Sequence, residues 1–155
     1  MLQSLLLPAK PSVLSTSVDT RVAISGSEKN TRITVMICED NPDLLQVYKL
    51  ALRTKYDVVG VASGKECLRK YADLRRNGRQ ISALLLDYRL PDTTGDEVAL
   101  KLKELDGTRV ILISAYEIDD HLVNAMKLNG SIALFIKKPI SIASLGQAID
   151  SVLSM

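Results

Sequence analysis

The stretch Leu84-Leu85-Leu86-Asp87-Tyr88-Arg89-Leu90-Pro91-Asp92-Thr93-Thr94-Gly95 decides the fold of this chain. It opens as a short apolar run, ends that run on a carboxylate, and then turns. An uninterrupted run of this length suits a strand buried on both faces, as in a parallel sheet. An Asp at the carboxyl end of such a strand lies where open α/β sheets place their ligands. Pro91 and Gly95 follow it, and both break regular structure. Taken alone, the stretch fits equally well a strand whose Asp merely opens a loop.

Working outward, the same pattern repeats. Residues 33–38 are β-rich and end at Glu39-Asp40. Asn41-Pro42 reads as an N-cap followed by proline at the first helical position. Leu44, Leu45, Val47, Tyr48, Ala51 and Leu52 then carry helical spacing. Residues 57–62 form the next strand. Ser63-Gly64-Lys65-Glu66 has capping-box spacing and opens a helix that stops at Asn77-Gly78. After the strand over 81–86, Gly95-Asp96 starts a third helix that ends near Asp106-Gly107. Residues 110–113 form a fourth strand, ending at Ser114-Ala115. A fourth helix is expected over 117–128, stopping at Asn129-Gly130. Residues 133–137 form a fifth strand, followed by Lys138-Pro139. Ser141 caps a last helix with Ile142, Leu145, Ala148, Ile149, Val152 and Leu153 as its apolar stripe. Alternation of strands and helices predicts an α/β doubly wound sandwich with a five-stranded parallel sheet and right-handed crossovers.

Composition sets limits around this reading. A chain of 155 residues accommodates one domain with a real core. Its 46% hydrophobic and 25% charged residues are those of an ordinary globular protein. A net charge of +2 is too small to point to nucleic acid or an acidic membrane as a partner. Cys38 and Cys67 have neither metal-ligand spacing nor the density of a disulfide scaffold, which suits a reducing compartment. No apolar run approaches the length of a membrane span. Residues 1–31, rich in Ser and Thr and without periodicity, are expected to form a flexible N-terminal tail, leaving 32–155 as the folded domain.

The strand ends collect the chemistry: Glu39, Asp40, Asp87, Ser114 and Lys138. Three carboxylates brought together repel one another unless a cation intervenes. A small set of oxygen ligands, with room for water and a phosphate oxygen, suits Mg²⁺ rather than zinc. A lysine can pair with a carboxylate and also with a phosphoryl group, and a hydroxyl can donate to a phosphoryl oxygen. Phosphoryl transfer is largely positioning and charge neutralisation, and a carboxylate nucleophile yields an aspartyl phosphate.

From Arg32 to Met155 these residues together resemble the receiver domains of two-component response regulators, of the CheY-like, stand-alone kind. The match rests on the acid pair Glu39-Asp40, on Asp87 with Pro91 and Gly95 behind it, on Ser114-Ala115, and on Lys138-Pro139. The resemblance implies a flavodoxin-like fold with strand order 2-1-3-4-5. It implies Asp87 as phosphoacceptor, with a Mg²⁺ site formed by Glu39, Asp40, Asp87 and the backbone carbonyl of Arg89. Ser114 and Lys138 would hold the phosphoryl oxygens, Phe135 would be the switch aromatic, and the Lys138-Pro139 bond would be cis.

The implied partners are a histidine kinase or histidine phosphotransfer protein upstream, and a protein target reached through the fourth helix, fifth strand and fifth helix. A homodimer is also open. Neither nucleic acid nor membrane is expected to bind directly, and the implied location is cytoplasmic. Catalysis would extend at most to the domain's own phosphorylation and dephosphorylation. Two departures stand out. Gly130 lies one residue farther before Phe135 than the family commonly has, and the bulky Arg89 and Tyr116 flank the site, predicting a slowly hydrolysing phosphoaspartate. A haloacid-dehalogenase-type phosphatase would need a second Asp where Arg89 stands. A flavodoxin would need a hydroxyl-rich phosphate loop where Glu39-Asp40 stand. A phosphorylation-independent dimerisation or interaction module remains the alternative.

Overall fold

The computed structural model describes residues 31–155. The tail expected over 1–31 lies outside them, apart from Thr31. Among the described residues, strands and helices alternate as β1 (Thr34–Cys38), α1 (Pro42–Leu52), β2 (Asp57–Val61), α2 (Gly64–Arg76), β3 (Ile81–Asp87), α3 (Gly95–Leu105), β4 (Arg109–Ser114), α4 (Asp120–Asn129), β5 (Leu134–Lys137) and α5 (Ile142–Leu153). The five strands form one sheet in the order β2-β1-β3-β4-β5. Every pairing is parallel, which gives the flavodoxin-like arrangement expected from the sequence. No helix among the described residues is long and apolar enough to cross a membrane.

The central strands are apolar throughout because both faces of the sheet are covered. Successive side chains alternate between two cores. Met36, Leu84, Leu86, Val110 and Leu112 pack with α2, α3 and α4. Val35, Ile37, Ala83, Leu85, Ile111 and Ile113 pack with α1 and α5. Each fully buried Leu or Ile contributes on the order of 1.5–3 kcal/mol, so the sheet centre is the most stable part of the domain.

Local sequence sets the helix ends. Asn41 Oδ1 accepts from Asp43 N and Leu44 N, and Pro42 occupies the first helical position of α1. Ser63 Oγ accepts from Glu66 N, but Glu66 returns its carboxylate to Ala62 N rather than to the N-cap itself. That bond ends β2 at Val61, one residue short of the span expected from sequence. Ser141 Oγ accepts from Ser144 N at the start of α5. Gly130 closes α4 with φ of 80°, a left-handed conformation that costs glycine nothing.

The largest departure from expectation is at α4, which begins at Asp120 rather than at 117. Asp119 is the true cap, accepting from His121 N at 2.7 Å. The residues before it are held elsewhere: Tyr116 by Ser114, and Glu117 by an ion pair with Lys137. The helical periodicity of 117–128 extends through a loop, residues 117–119, whose last member Asp119 caps the helix and so sets its start at Asp120. At the other strand ends, β3 extends to include Asp87, β4 to include Arg109 and Ser114, and β5 starts one residue late at Leu134.

Candidate functional site

Backbone bonds level the strand ends. Glu39 N donates to Val61 O at 3.1 Å, Tyr88 N to Ile113 O at 2.8 Å, and Lys138 N to Ser114 O at 2.8 Å. In register, Asp87 stands beside Ile113, and Ser114 beside Lys137. The Lys138–Pro139 peptide bond is cis, as expected. A cavity of about 500 Å³ opens above these ends, lined by Glu39, Asp40, Asp87, Arg89, Tyr116 and Lys138 among others.

The loop that follows β3 is folded tightly onto it. Gly95 N donates to Tyr88 O at 2.7 Å and Leu90 N to Thr93 O at 3.2 Å, so that Arg89 pairs with Thr94 in a single antiparallel bridge. The bonds are made by the neighbours of that pair, leaving the Arg89 carbonyl out of the ladder. Glycine is required at position 95, because a Cβ there would sit 2.7 Å from Asp87 O and 2.8 Å from Leu112 Cδ1.

Within the cavity, Lys138 Nζ lies 2.7 Å from Glu39 Oε2 and 3.4 Å from Asp87 Oδ2. The other Glu39 oxygen accepts from Asn41 N at 3.1 Å. Glu39 is 1% exposed and Asp87 7%, so both carboxyls are removed from bulk water, while Asp40 is exposed. Burial pushes the Asp87 carboxyl from its ordinary 3.8 up to about 6, with Glu39 adding repulsion and Lys138 offsetting part of it. Burial pulls against the Lys138 ammonium, but its hydrogen bond to Glu39 and the pull of both carboxylates hold it above its ordinary value.

One oxygen from each of Glu39, Asp40 and Asp87 falls within 4.8 Å of the others, a spacing that fits a single cation. An all-oxygen donor set with one member open to solvent suits a hard divalent ion that keeps some of its water. The buried, mutually repelling pair Glu39 and Asp87 supplies the electrostatic reason for a cation to enter.

The structure does not bring every residue singled out in the sequence to the cavity wall. Ser114 is fully buried, and its hydroxyl donates to Tyr116 O and accepts from Tyr116 N, both at 3.0 Å. Phe135 is half-buried against the core on the α2–α4 side of the sheet. Cys38 is fully buried beside Cys67, whose thiol hydrogen bond, together with burial, pushes the Cys38 thiol far up; it is an inert core residue. His121 is exposed in the first turn of α4.

Sequence reasoning missed two features. The Arg89 guanidinium stacks on the Tyr116 ring at 3.9 Å from its centroid, so the two bulky residues flanking the site form one cation–π pair over the cavity. Asp92 bonds across to the start of α2. Neither has a local sequence signal, since each partner lies on a different element.

Known proteins share this arrangement. The sequence pattern of the family described as the response regulator receiver domain matches residues 35–150. The chain is 31% identical over 125 residues to the polar-differentiation response regulator DivK of Brucella anthropi, covering 77% of this chain and 94% of that protein. A CheY-like response regulator receiver domain protein from Methanospirillum hungatei superposes with a TM-score of 0.70 at 25% identity, over 80% of this chain and 95% of that one. The signal receiver domain of a Luxo repressor protein from Vibrio parahaemolyticus gives a TM-score of 0.67 at 27% identity, over 79% of this chain and 91% of that one.

Proposed function

Because this chain belongs to the response regulator receiver domain family, we propose that it is a phosphoacceptor switch working in the cytoplasm, taking a phosphoryl group on Asp87 from a histidine kinase or histidine phosphotransfer protein. The observation that carries this reading is the buried Asp87 carboxyl at a strand end, with Glu39 and Asp40 within a cation's reach and Lys138 at 3.4 Å.

In the transfer, a carboxylate oxygen of Asp87 forms a bond to phosphorus as the bond from phosphorus to the donor imidazole nitrogen breaks. The imidazole leaves neutral once it has taken a proton. Mg²⁺, held by Glu39, Asp40, Asp87 and the Arg89 carbonyl, would neutralise charge on the carboxylates and on the phosphoryl oxygens. Lys138 needs only to shift from the carboxylates to a phosphoryl oxygen, keeping its charge compensated throughout. Ser114 reaches the phosphoryl group by giving up Tyr116 O, so capture of the hydroxyl loosens the loop into α4. The change biases a two-state equilibrium in which Phe135 buries further, and it is read by a protein partner, or a second copy, on α4, β5 and α5. The Arg89–Tyr116 stack restricts the approach of water, giving a long-lived phosphoaspartate.

The test is labelling with acetyl phosphate and Mg²⁺, read by intact mass and peptide mapping. Wild type should gain one phosphoryl group on Asp87, and Asp87→Ala none. A label that persists on another residue, or a wild type that never labels, removes the proposal.

A further inference from the structure

The loop that carries Arg89 is tied down by a residue outside the cavity. Asp92 Oδ1 accepts from Gly64 N and Asp92 Oδ2 from Lys65 N, both at 2.8 Å. These are the first two N–H groups of α2, which no carbonyl of the same helix can take. A carboxylate at a helix N-terminus also interacts favourably with the helix dipole. The N–H groups of Lys65 and Gly64 hold the Asp92 carboxyl below its ordinary value.

α2 already has its own local cap, Ser63, which accepts from Glu66 N. Asp92 is therefore a second cap supplied from a different element, and its effect falls on the loop as much as on the helix. The contact is close: a Cβ at Gly64 would lie 2.2 Å from Thr93 Cγ2, so the loop lies flat on the helix terminus. At its base the same loop is stitched by Gly95 N to Tyr88 O and Leu90 N to Thr93 O. The Leu90 N–H lies in the same peptide plane as the Arg89 carbonyl, and its acceptor Thr93 O belongs to the residue next to Asp92, so whatever holds the loop tip also holds the group that orients that carbonyl.

We propose that Asp92 is a positioning residue for the metal site, clamping the tip of the loop to α2 so that the Arg89 carbonyl is presented to the Glu39–Asp40–Asp87 cluster. Asp92 acts through Arg89 and does not touch the metal. The inference rests on the metal site of the proposed function, and it adds a residue whose removal weakens cation binding from the far side of the loop.

The test measures binding of Mg²⁺ alone to the full chain, by calorimetry and by amide shifts of residues 87–90. Removing a group bonded directly to a metal ligand typically weakens binding tenfold or more; Asp92 acts one step further out, so Asp92→Ala should raise the Kd for Mg²⁺ several-fold, up to about tenfold. Asp92→Asn, with one acceptor oxygen left, should fall between. Ser63→Ala is the control: it removes a cap from the same helix without touching the loop, and should leave the Kd unchanged while lowering stability comparably. A wild-type Kd in Asp92→Ala, or equal weakening in Ser63→Ala, overturns the inference. Failure of the phosphoacceptor reading is separate, since it would show as normal Mg²⁺ binding without a label on Asp87. A wild type that binds no Mg²⁺ overturns both.

Discussion

Removing the charge of Asp87 should make the metal-free protein more stable at neutral pH. The carboxyl is 7% exposed and is pushed up from 3.8 to about 6, by burial first and by Glu39 second. A folded value above the unfolded one means that the native state holds the proton more tightly than the unfolded chain does. The corresponding stability is fully present below 3.8, is lost as pH rises through about 6, and changes no further above that. At about 1.4 kcal/mol per pH unit, the gap between the two values is worth about 3 kcal/mol. That gap already includes the offset from Lys138, so Asp87→Asn, which keeps the shape and removes the charge, gives back only what it costs to set a neutral amide beside the ammonium that stood 3.4 Å from the carboxylate. The net gain at pH 7.5 in EDTA should be about 2 kcal/mol, or roughly 8 °C in Tm for a domain of this size. Urea denaturation followed by circular dichroism at pH 4, 5.5 and 7.5 measures it directly. The advantage should be largest at pH 7.5, smaller at 5.5 and near zero at 4. Added Mg²⁺ should narrow the gap, by stabilising wild type more than the variant. A variant no more stable than wild type at pH 7.5, or one whose advantage persists undiminished at pH 4, would refute the reasoning.

Three other substitutions read different parts of the site. Arg89→Ala and Tyr116→Ala should each shorten the lifetime of the phosphoaspartate by the several-fold that about 1 kcal/mol of lost stacking corresponds to, as followed by decay of the label after acetyl phosphate is removed. A wild-type half-life of seconds with Mg²⁺ present would count against the stack as a water barrier. Gly95→Ala should cost about 2–3 kcal/mol or more, because the new Cβ meets the Asp87 carbonyl and the Leu112 side chain in a packed sheet; an unchanged urea midpoint would mean the loop can move away freely.

The architecture was legible because the sheet is buried on both faces. That condition makes runs such as Leu84-Leu85-Leu86 and Val110-Ile111-Leu112-Ile113 unbroken, and it places turn and cap residues sharply between them. That the sheet is parallel followed from alternation and crossover handedness, whereas the strand order 2-1-3-4-5 came from the resemblance to receiver domains, since no pairing signal in the sequence carries it. The acid cluster was legible because chemistry at strand ends falls beside those runs. What escaped was set by contacts between elements. Helical spacing over 117–128 looked complete, yet Glu117 pairs with Lys137 and Tyr116 with Ser114, while Asp119 caps the helix, so α4 starts three residues late. Ser63 and Glu66 had the spacing of a reciprocal box, but the carboxylate chose Ala62 N, a geometry that the spacing does not distinguish. Asp92 carried no signal at all, because its partners Gly64 and Lys65 are far away in sequence and have no side-chain signature of being capped.

The placement of Lys138 ties stability to function. A lysine locked onto Asp87 would lower its free energy as a carboxylate and damp it as a nucleophile. Instead the ammonium sits at 2.7 Å from Glu39 and at 3.4 Å from Asp87, so the neighbouring acid takes the closer bond and Asp87 is left less well compensated. Burial and the repulsion of Glu39 keep the Asp87 carboxyl raised while Lys138 offsets only part of it, which leaves an arriving cation something to relieve. Such an arrangement costs stability, and it persists because the residues beneath it are closely packed. Cys38, Leu86 and Ile113, which lead into Glu39, Asp87 and Ser114, are each fully buried. The packed sheet centre thus fixes where these charges meet, and in the proposed mechanism the moving parts are Lys138, the Ser114 hydroxyl, the loop that hydroxyl restrains and Phe135.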